Sequence, residues 1–285
     1  MKTIYDTQTL RKIVQRWRNG HEKIAFVPTM GNLHDGHLSL LKTARELADR
    51  TVVSIFVNPI QFGKGEDYEN YPSTLKGDGQ KLAENGADVL FAPNLQQLYP
   101  GGMAEDTRVS VPSLSNILCG KFRPGHFSGV ATVVTKLFFS VLPDIALFGE
   151  KDYQQLLVIR RMVSDLCIPV EVIGQPIVRE QDGLAMSSRN SYLSVEERNR
   201  AATIYQEISA IGEKLSSGQR NFTELEKKAT ENLQSAGFKP EYVSIRRLAD
   251  LDIPNNDDSE FSVLAAAWLG SARLIDNIKV ESGDG

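Results

Sequence analysis

The sharpest constraint on this chain is a ten-residue turn, Pro28-Thr29-Met30-Gly31-Asn32-Leu33-His34-Asp35-Gly36-His37. The run before it, Ile24-Ala25-Phe26-Val27, is short and wholly apolar, the pattern of a buried strand that Pro28 ends. After it, Leu38, Leu41, Ala44 and Ala48 fall near helical spacing. The stretch is therefore a strand-to-helix turn, with Gly36 at the expected helix start, where a missing Cβ lets another group approach the backbone. A helix N-terminus offers unpaired N–H groups and partial positive charge, which suits phosphate. His34 and His37, three apart, can converge on such an anion with hydrogen bonds that strengthen as negative charge builds. A bare His-x-Gly-His also reads as a solvated helix cap, or as two ligands of an incomplete metal site.

The next run, Val52-Val53-Ser54-Ile55-Phe56-Val57, is rich in β-branched residues, as in a strand covered on both faces of a parallel sheet. Strand, helix, strand is one right-handed crossover unit. Asn58-Pro59-Ile60-Gln61-Phe62 then stands just past the carboxyl end of the second strand, the edge where open α/β sheets bind ligands. Asn58 and Gln61 both donate and accept, which matches hydroxyls or a carboxylate, although a polar loop is the plainer reading of either alone. Helices are expected over 7–19, 73–85 and 128–142, and strands over 89–92, 107–111, 144–148 and 170–173. Arg123-Pro124-Gly125-His126-Phe127 is a turn whose role the residues leave open.

A second strand–glycine–helix junction follows at Gly149-Glu150-Lys151-Asp152. A lysine at a helix N-terminus opposes the local dipole unless an anion is bound there, and such a local conflict points to a functional site. Four-residue spacing would put Lys151 and Gln155 on one helix face. Further on, the segment from Gln181 to Asn190 carries Met186, Ser187, Ser188 and Arg189 in what reads as a mobile loop; arginine suits a forked grip on phosphate oxygens. Beyond Asn190, helices over 195–216 and 222–236 precede strands over 242–245, 261–269 and 273–277. The expected fold is thus α/β: a Rossmann-like, doubly wound parallel sheet over residues 1–178, with a smaller C-terminal α+β lid domain over 179–285.

Composition narrows the function. Over 285 residues the net charge is −4, so nothing supplies the broad basic face that a nucleic-acid partner needs. No apolar run approaches the roughly 20 residues that span a bilayer, and the first residues lack a signal-peptide core. Cys119 and Cys167 have neither metal-ligand nor redox spacing, which suggests a reducing, cytoplasmic setting with both thiols structural. No acidic cluster stands out as a metal site, so metal ligands stay unknown from the residues alone.

The histidine pattern resembles the signature of the nucleotidyltransferase superfamily that includes class I aminoacyl-tRNA synthetases. Together with Phe56 to Phe62, Arg123 to Phe127, Phe148 to Gln155 and Met186 to Asn190, and with Ala266-Ala267-Trp268-Leu269-Gly270 and Arg273-Leu274-Ile275-Asp276-Asn277 near the C-terminus, it makes the chain similar to the pantothenate synthetase family. The resemblance implies an ATP-dependent ligase that joins pantoate to β-alanine through a pantoyl-adenylate, with Mg²⁺ as the metal and a homodimer as the assembly. It implies an ATP site of Met30, Gly31, Asn32, Leu33, His34, Asp35, Gly36, His37, Gly149, Glu150, Lys151, Asp152, Val178, Met186, Ser187, Ser188 and Arg189. His37, His34, Lys151 and Arg189 would be the catalytic groups. Gln61 and Gln155 would hold pantoate, beside Asn58. Ala185-Met186-Ser187-Ser188-Arg189 stands where related synthetases use Lys-Met-Ser-Lys-Ser, so one cation remains there. Two rival readings are another nucleotidyltransferase, such as a phosphopantetheine adenylyltransferase, and a nucleotide sensor that binds ATP without releasing AMP.

Overall fold

The computed structural model describes residues 1–63, 66, 68–69, 71–72 and 74–282. The chain divides into two compact units, Met1–Glu150 with Gln155–Pro176, and Lys151–Gln154 with Ile177–Gly285.

In chain order the first part runs β1 (Lys2–Ile4), α1 (Thr7–Asn19), β2 (Ile24–Thr29), α2 (Asp35–Leu47), β3 (Arg50–Ile55), α3 (Leu75–Glu84) and β4 (Val89–Phe91). Three single-turn helices follow, α4 (Leu95–Leu98), α5 (Pro112–Ser115) and α6 (Cys119–Phe122). Then come α7 (His126–Val141), β5 (Ile145–Gly149), α8 (Tyr153–Asp165) and β6 (Glu171–Gln175). The six strands form one sheet in the order β1-β4-β3-β2-β5-β6, every pairing parallel. The chain builds outward from β2 through β3 to β4, then returns to lay β5 on the other side of β2. Strand order therefore reverses between β2 and β5, and ligands of such sheets sit in the crevice at the carboxyl ends beside that reversal. Leu40, Leu41 and Ala44 of α2 pack on Ala25, Val27, Val53 and Ile145, which fixes where the residues leaving β2 must stand. Each leucine so buried contributes about 1.5–3 kcal/mol.

The second unit holds a 3₁₀ turn (Ser188–Tyr192), α9 (Val195–Ala201), α10 (Thr203–Ser216) and α11 (Phe222–Ser235). An antiparallel sheet completes it, β7 (Lys239–Arg247), β8 (Glu260–Leu269) and β9 (Ala272–Glu281) in sequential order. Its core joins Ile204, Ile208, Ile211 and Leu233 to Val243, Val263 and Ala265.

The parallel α/β sheet and the small α+β unit expected from the sequence are both present. Several local expectations need correction. Residues 107–111 form no strand: α7 hydroxyls take the hydrogen bonds instead, with Val109 N–H donating to Thr132 Oγ1 at 3.0 Å and Ser128 Oγ to the Val109 carbonyl at 3.2 Å. The single helix expected over 195–216 is two, broken at Ala202, whose ψ of −13° interrupts the hydrogen-bond ladder. Strand β1 carries only three residues and pairs at the sheet edge, too short for any periodicity to show. The helix expected from Ser73 begins at Leu75, and Ser73 itself lies outside the described residues. Cys119 is buried, but Cys167 is exposed, at a left-handed φ of 50° after α8, so burial supports a structural part for the first thiol only.

Candidate active site

The turn leaving β2 is built by its neighbours. Gly31 and Asn32 adopt left-handed φ of 85° and 51°, a reversal open to glycine and, among other residues, most readily to asparagine. Asp78, from α3, accepts the amide of Asn32 at 2.8 Å and that of Leu33 at 2.9 Å, and the Thr74 hydroxyl at 2.8 Å. It is 1% exposed, and three donors offset the cost of burying its carboxylate. Lys81 donates to the Leu33 carbonyl at 2.6 Å. Thr29 Oγ1 accepts the Gly31 amide and donates to the Ser54 carbonyl, tying the turn to β3.

The two histidines cap α2 with their own rings. His34 Nδ1 accepts the Gly36 amide at 3.2 Å, and His37 Nδ1 accepts the His34 amide at 3.4 Å. A backbone N–H only donates, so the proton of each neutral ring is on Nε2, the atom that can donate to an anion. The ring centroids are 4.1 Å apart. The capping expectation is therefore met without removing the donors. Helix α2 starts at Asp35, which is exposed, and Gly36 is its second residue.

Past β3, Pro59–Gln61 is a 3₁₀ turn, with Asn58 1% and Gln61 8% exposed. Gln61 Nε2 donates to Met30 Sδ at 3.0 Å, so the β2 and β3 turns meet at the sheet edge. Asn58 Nδ2 donates to Gln61 Oε1 at 3.3 Å and to the Gly129 carbonyl at 3.1 Å, and Tyr99 donates to Asn58 Oδ1 at 2.9 Å. Burial pushes the Tyr99 hydroxyl up to about 12, which keeps it a donor at neutral pH. The Arg123 turn, open from sequence, braces the same spot. His126 Nδ1 donates to the Gln61 carbonyl at 2.8 Å, its Nε2 faces Arg123 Nη1 at 3.1 Å, and Arg123 forks onto Glu66 at 2.6 Å twice. A carbonyl only accepts and a guanidinium only donates, so this histidine carries its proton on Nδ1. Burial pushes the Glu66 carboxyl up, and the bond and charge of Arg123 outweigh that and hold it below its ordinary value.

On the other side of the reversal, β5 ends at Gly149 and Glu150–Asp152 forms a 3₁₀ turn before α8. Lys151 thus precedes the α-helix, and the four-residue spacing that put it on one face with Gln155 does not carry through a three-per-turn segment. Gln155 lies half-buried on α8 in the first unit, whereas Lys151 and the exposed Asp152 belong to the second. There, residues 178–186 fold back as a small hairpin. Arg179 bridges Ala185, and the Met186 amide donates to the Val178 carbonyl at 3.0 Å. The segment read as a mobile loop is a defined turn: Ser187 Oγ accepts the Arg189 amide at 3.2 Å, and Asn190 donates to Glu180 and to the Ala185 carbonyl, both at 3.1 Å. Met186, Ser187, Ser188 and Arg189 are all half-buried.

The candidate residues therefore form two groups. Met30 through His37, Asn58 and Gln61 are brought together in the first unit, which also holds Gly149, Glu150 and Gln155. Lys151, Asp152, Val178 and residues 186–189 lie in the second. Asp78, Tyr99, Glu66 and Gly129 support the first group and were not anticipated. Asp78 alone left a legible sign, a lone carboxylate on the apolar stripe of α3 between Leu75 and Leu82. Among the described residues no three His, Cys, Asp or Glu side chains could hold a metal together, and no helix is long and apolar enough to cross a membrane.

Residues 2–279 match the family model described as pantoate-beta-alanine ligase. The chain belongs to that family. A pantothenate synthetase of Azotobacter vinelandii is 53% identical over 281 residues, covering 99% of each chain, and that of Idiomarina loihiensis is 54% identical over 267 residues, covering 94% of this chain and 95% of the relative. Among solved structures, the pantothenate synthetase of Thermus thermophilus matches with a TM-score of 0.91 and 46% identity, over 98% of this chain and 99% of the other. The ligase of Francisella tularensis, solved in complex with "Beta-gamma ATP" and beta-alanine, matches with a TM-score of 0.79 and 38% identity, over 98% and 97%. Like the rest of the pantoate-beta-alanine ligase family, this chain is an enzyme, and the doubly wound sheet with its small antiparallel companion is the architecture of the family's solved members.

Proposed function

We propose that this chain condenses pantoate with β-alanine, cleaving ATP to AMP and pyrophosphate through a pantoyl-adenylate. A carboxylate is a poor electrophile and must first be activated. A pantoate carboxylate oxygen attacks the α-phosphorus of ATP, and pyrophosphate leaves with the electrons of the broken P–O bond. Negative charge grows on the bridging oxygen and the phosphates. The Nε2–H groups of His34 and His37, the Lys151 ammonium and the Arg189 guanidinium are the donors assigned to oppose it, since nucleotidyl transfer is mostly positioning and charge stabilisation. The β-alanine amine then attacks the acyl carbon, loses a proton and expels AMP. Gln61 and Gln155 hold pantoate, with Asn58 alongside Gln61, and Gln61 also meets β-alanine. Met30 to His37, Gly149 to Asp152, Val178 and residues 186–189 receive ATP. The second unit is assigned the part of a lid, which would keep water from the mixed anhydride.

The observation that carries this reading is the contact between Gln61 Nε2 and Met30 Sδ, which brings the turns leaving β3 and β2 together beside the strand reversal, where open α/β sheets take their ligands. The ligand pair in the Francisella tularensis structure agrees with ATP and β-alanine as substrates. Magnesium enters with the nucleotide on this reading: the described residues offer no cluster for it, and Mg²⁺ is commonly held by phosphates and water. A cytoplasmic homodimer completes the family picture.

The test is AMP release with pantoate and β-alanine supplied separately and together. AMP is expected in stoichiometry with the amide product only when both are present, and pantoate alone should support exchange of labelled pyrophosphate into ATP. Binding of ATP with neither signal would refute the reading.

A further inference from the structure

Strand β9 alternates buried and partly exposed residues until Asp276 and Asn277, where two consecutive polar side chains are 2% and 3% exposed. Neighbours on a strand point to opposite faces, so each serves a different surface. A buried ion pair is weak evidence for stability, because well-packed apolar residues hold a strand as well. What these two hold is more telling.

Asp276 takes the guanidinium of Arg179 in a fork, at 2.7 and 2.9 Å. Arg179 also donates to the carbonyls of Gly183 and Asn277 and lies over the Tyr205 ring at 3.9 Å. It is the residue after Val178, and its bridge partner Ala185 is the residue before Met186. The fork therefore grips the hairpin one residue from each end of the proposed nucleotide contacts. On its other side Asn277 Nδ2 donates to the carbonyl of Lys151 at 2.9 Å.

We propose that Asp276 and Asn277 are a positioning pair that fixes Lys151 and the 186–189 turn relative to one another, so that their two cations meet the nucleotide phosphates in a set geometry. The pair touches no substrate. It acts through backbone: Asp276 through Arg179 and the hairpin, Asn277 through the Lys151 carbonyl. The inference rests on Lys151 and Arg189 facing phosphates.

The test is Asn277→Ala in the full-length enzyme, alone and combined with Lys151→Ala, read by pantoate-dependent pyrophosphate exchange with KM for ATP and kcat determined separately, and by thermal unfolding. Expected for Asn277→Ala is an adenylation kcat lower by about tenfold, the scale of one lost orienting hydrogen bond. Capture of chemically supplied pantoyl-adenylate by β-alanine should stay unchanged, and Asn277→Ser, which keeps a donor, should recover part of the rate. The double variant should be no slower than Lys151→Ala alone, since the first substitution acts through the second residue. Additive losses, or a lowered Tm with unchanged exchange well below it, would overturn the positioning role. A slow Lys151→Ala with a normal Asn277→Ala refutes the pair and leaves the reading of Lys151 standing. A normal Lys151→Ala refutes both.

Discussion

The Asp78 carboxylate accepts the amide of Leu33 at 2.9 Å, from a helix that begins more than forty residues later in the chain. With Asn32 and Thr74 as further donors, this one buried anion holds the left-handed pair that turns β2 into the histidine helix. Asp78→Ala leaves the Leu33 amide without its acceptor and the Asn32 amide with only the Thr74 hydroxyl at 3.1 Å, and hydrogen bonds to charged groups are worth about 1.5–3 kcal/mol each. The first unit should lose stability on that scale in denaturant unfolding, and pyrophosphate exchange should slow even at temperatures where the variant is folded. Exchange at the parent rate in a folded Asp78→Ala protein would show that the turn holds its shape without the anion.

On the proposed reading, His37→Ala and Lys151→Ala each remove one preorganised donor from the charge that builds during adenylation. Loss of such a donor costs about 10²–10³ in rate. Single-turnover formation of pantoyl-adenylate should fall by that factor, with little change in the later attack by β-alanine. Rates within a few-fold of the parent enzyme would remove these residues from the reacting centre. His37→Ala also loses the Nδ1 acceptor for the His34 amide, so His37→Asn, with a side-chain oxygen for that amide, separates capping from chemistry.

The strand-to-helix turn was legible because it is local: an apolar run, two glycines and helical spacing follow one another within a single short stretch. The order of the sheet was not, since β1 pairs with β4 across more than eighty residues and only the folded sheet shows β5 returning beside β2. The proposed donors His34, His37, Lys151 and Arg189 were named from residue type and motif. The supports of the β2 and β3 turns could not be, apart from the lone carboxylate of Asp78 on the α3 stripe. Asp78, Tyr99 and Gly129 reach the site from other elements, and a tyrosine or glycine carries no spacing that says which turn it will brace. The division of Lys151 from Gln155 was hidden for the same reason, because the tie of Lys151 to Asn277 is made at a sequence distance of 126.

Gly129 lies where α7 presses on the Gln61 turn, and a Cβ there would stand 2.8 Å from both Gln61 N and Cα. Those are backbone atoms and cannot swing aside as a side-chain tip would. Gly129→Ala should push the turn away, lengthen the bond from Asn58 to the Gly129 carbonyl and raise KM for pantoate by about tenfold or more, as a misplaced substrate contact does. The ATP affinity measured without pantoate should change far less. Unaltered pantoate saturation would mean that the helix and turn separate without moving the Gln61 amide.

In the second unit, Glu226 on α11 accepts the Ile245 amide at 2.7 Å and is pushed above its ordinary value of 4.5, chiefly by burial, against the pull of that amide and of Arg246. The folded state therefore holds this proton more tightly than the unfolded chain, and stability must fall as pH rises from the ordinary carboxyl value through the raised one. Glu226→Gln keeps the Oε1 acceptor and removes the charge. The Tm of the variant should match or exceed that of the parent at neutral pH, and the difference should shrink as the pH is lowered below about 4.5, where both proteins carry a neutral side chain at this position. A variant less stable than the parent at neutral pH, with the gap closing in acid, would mean that the carboxylate charge, drawn by Arg246, strengthens the tie between α11 and β7 more than its burial costs.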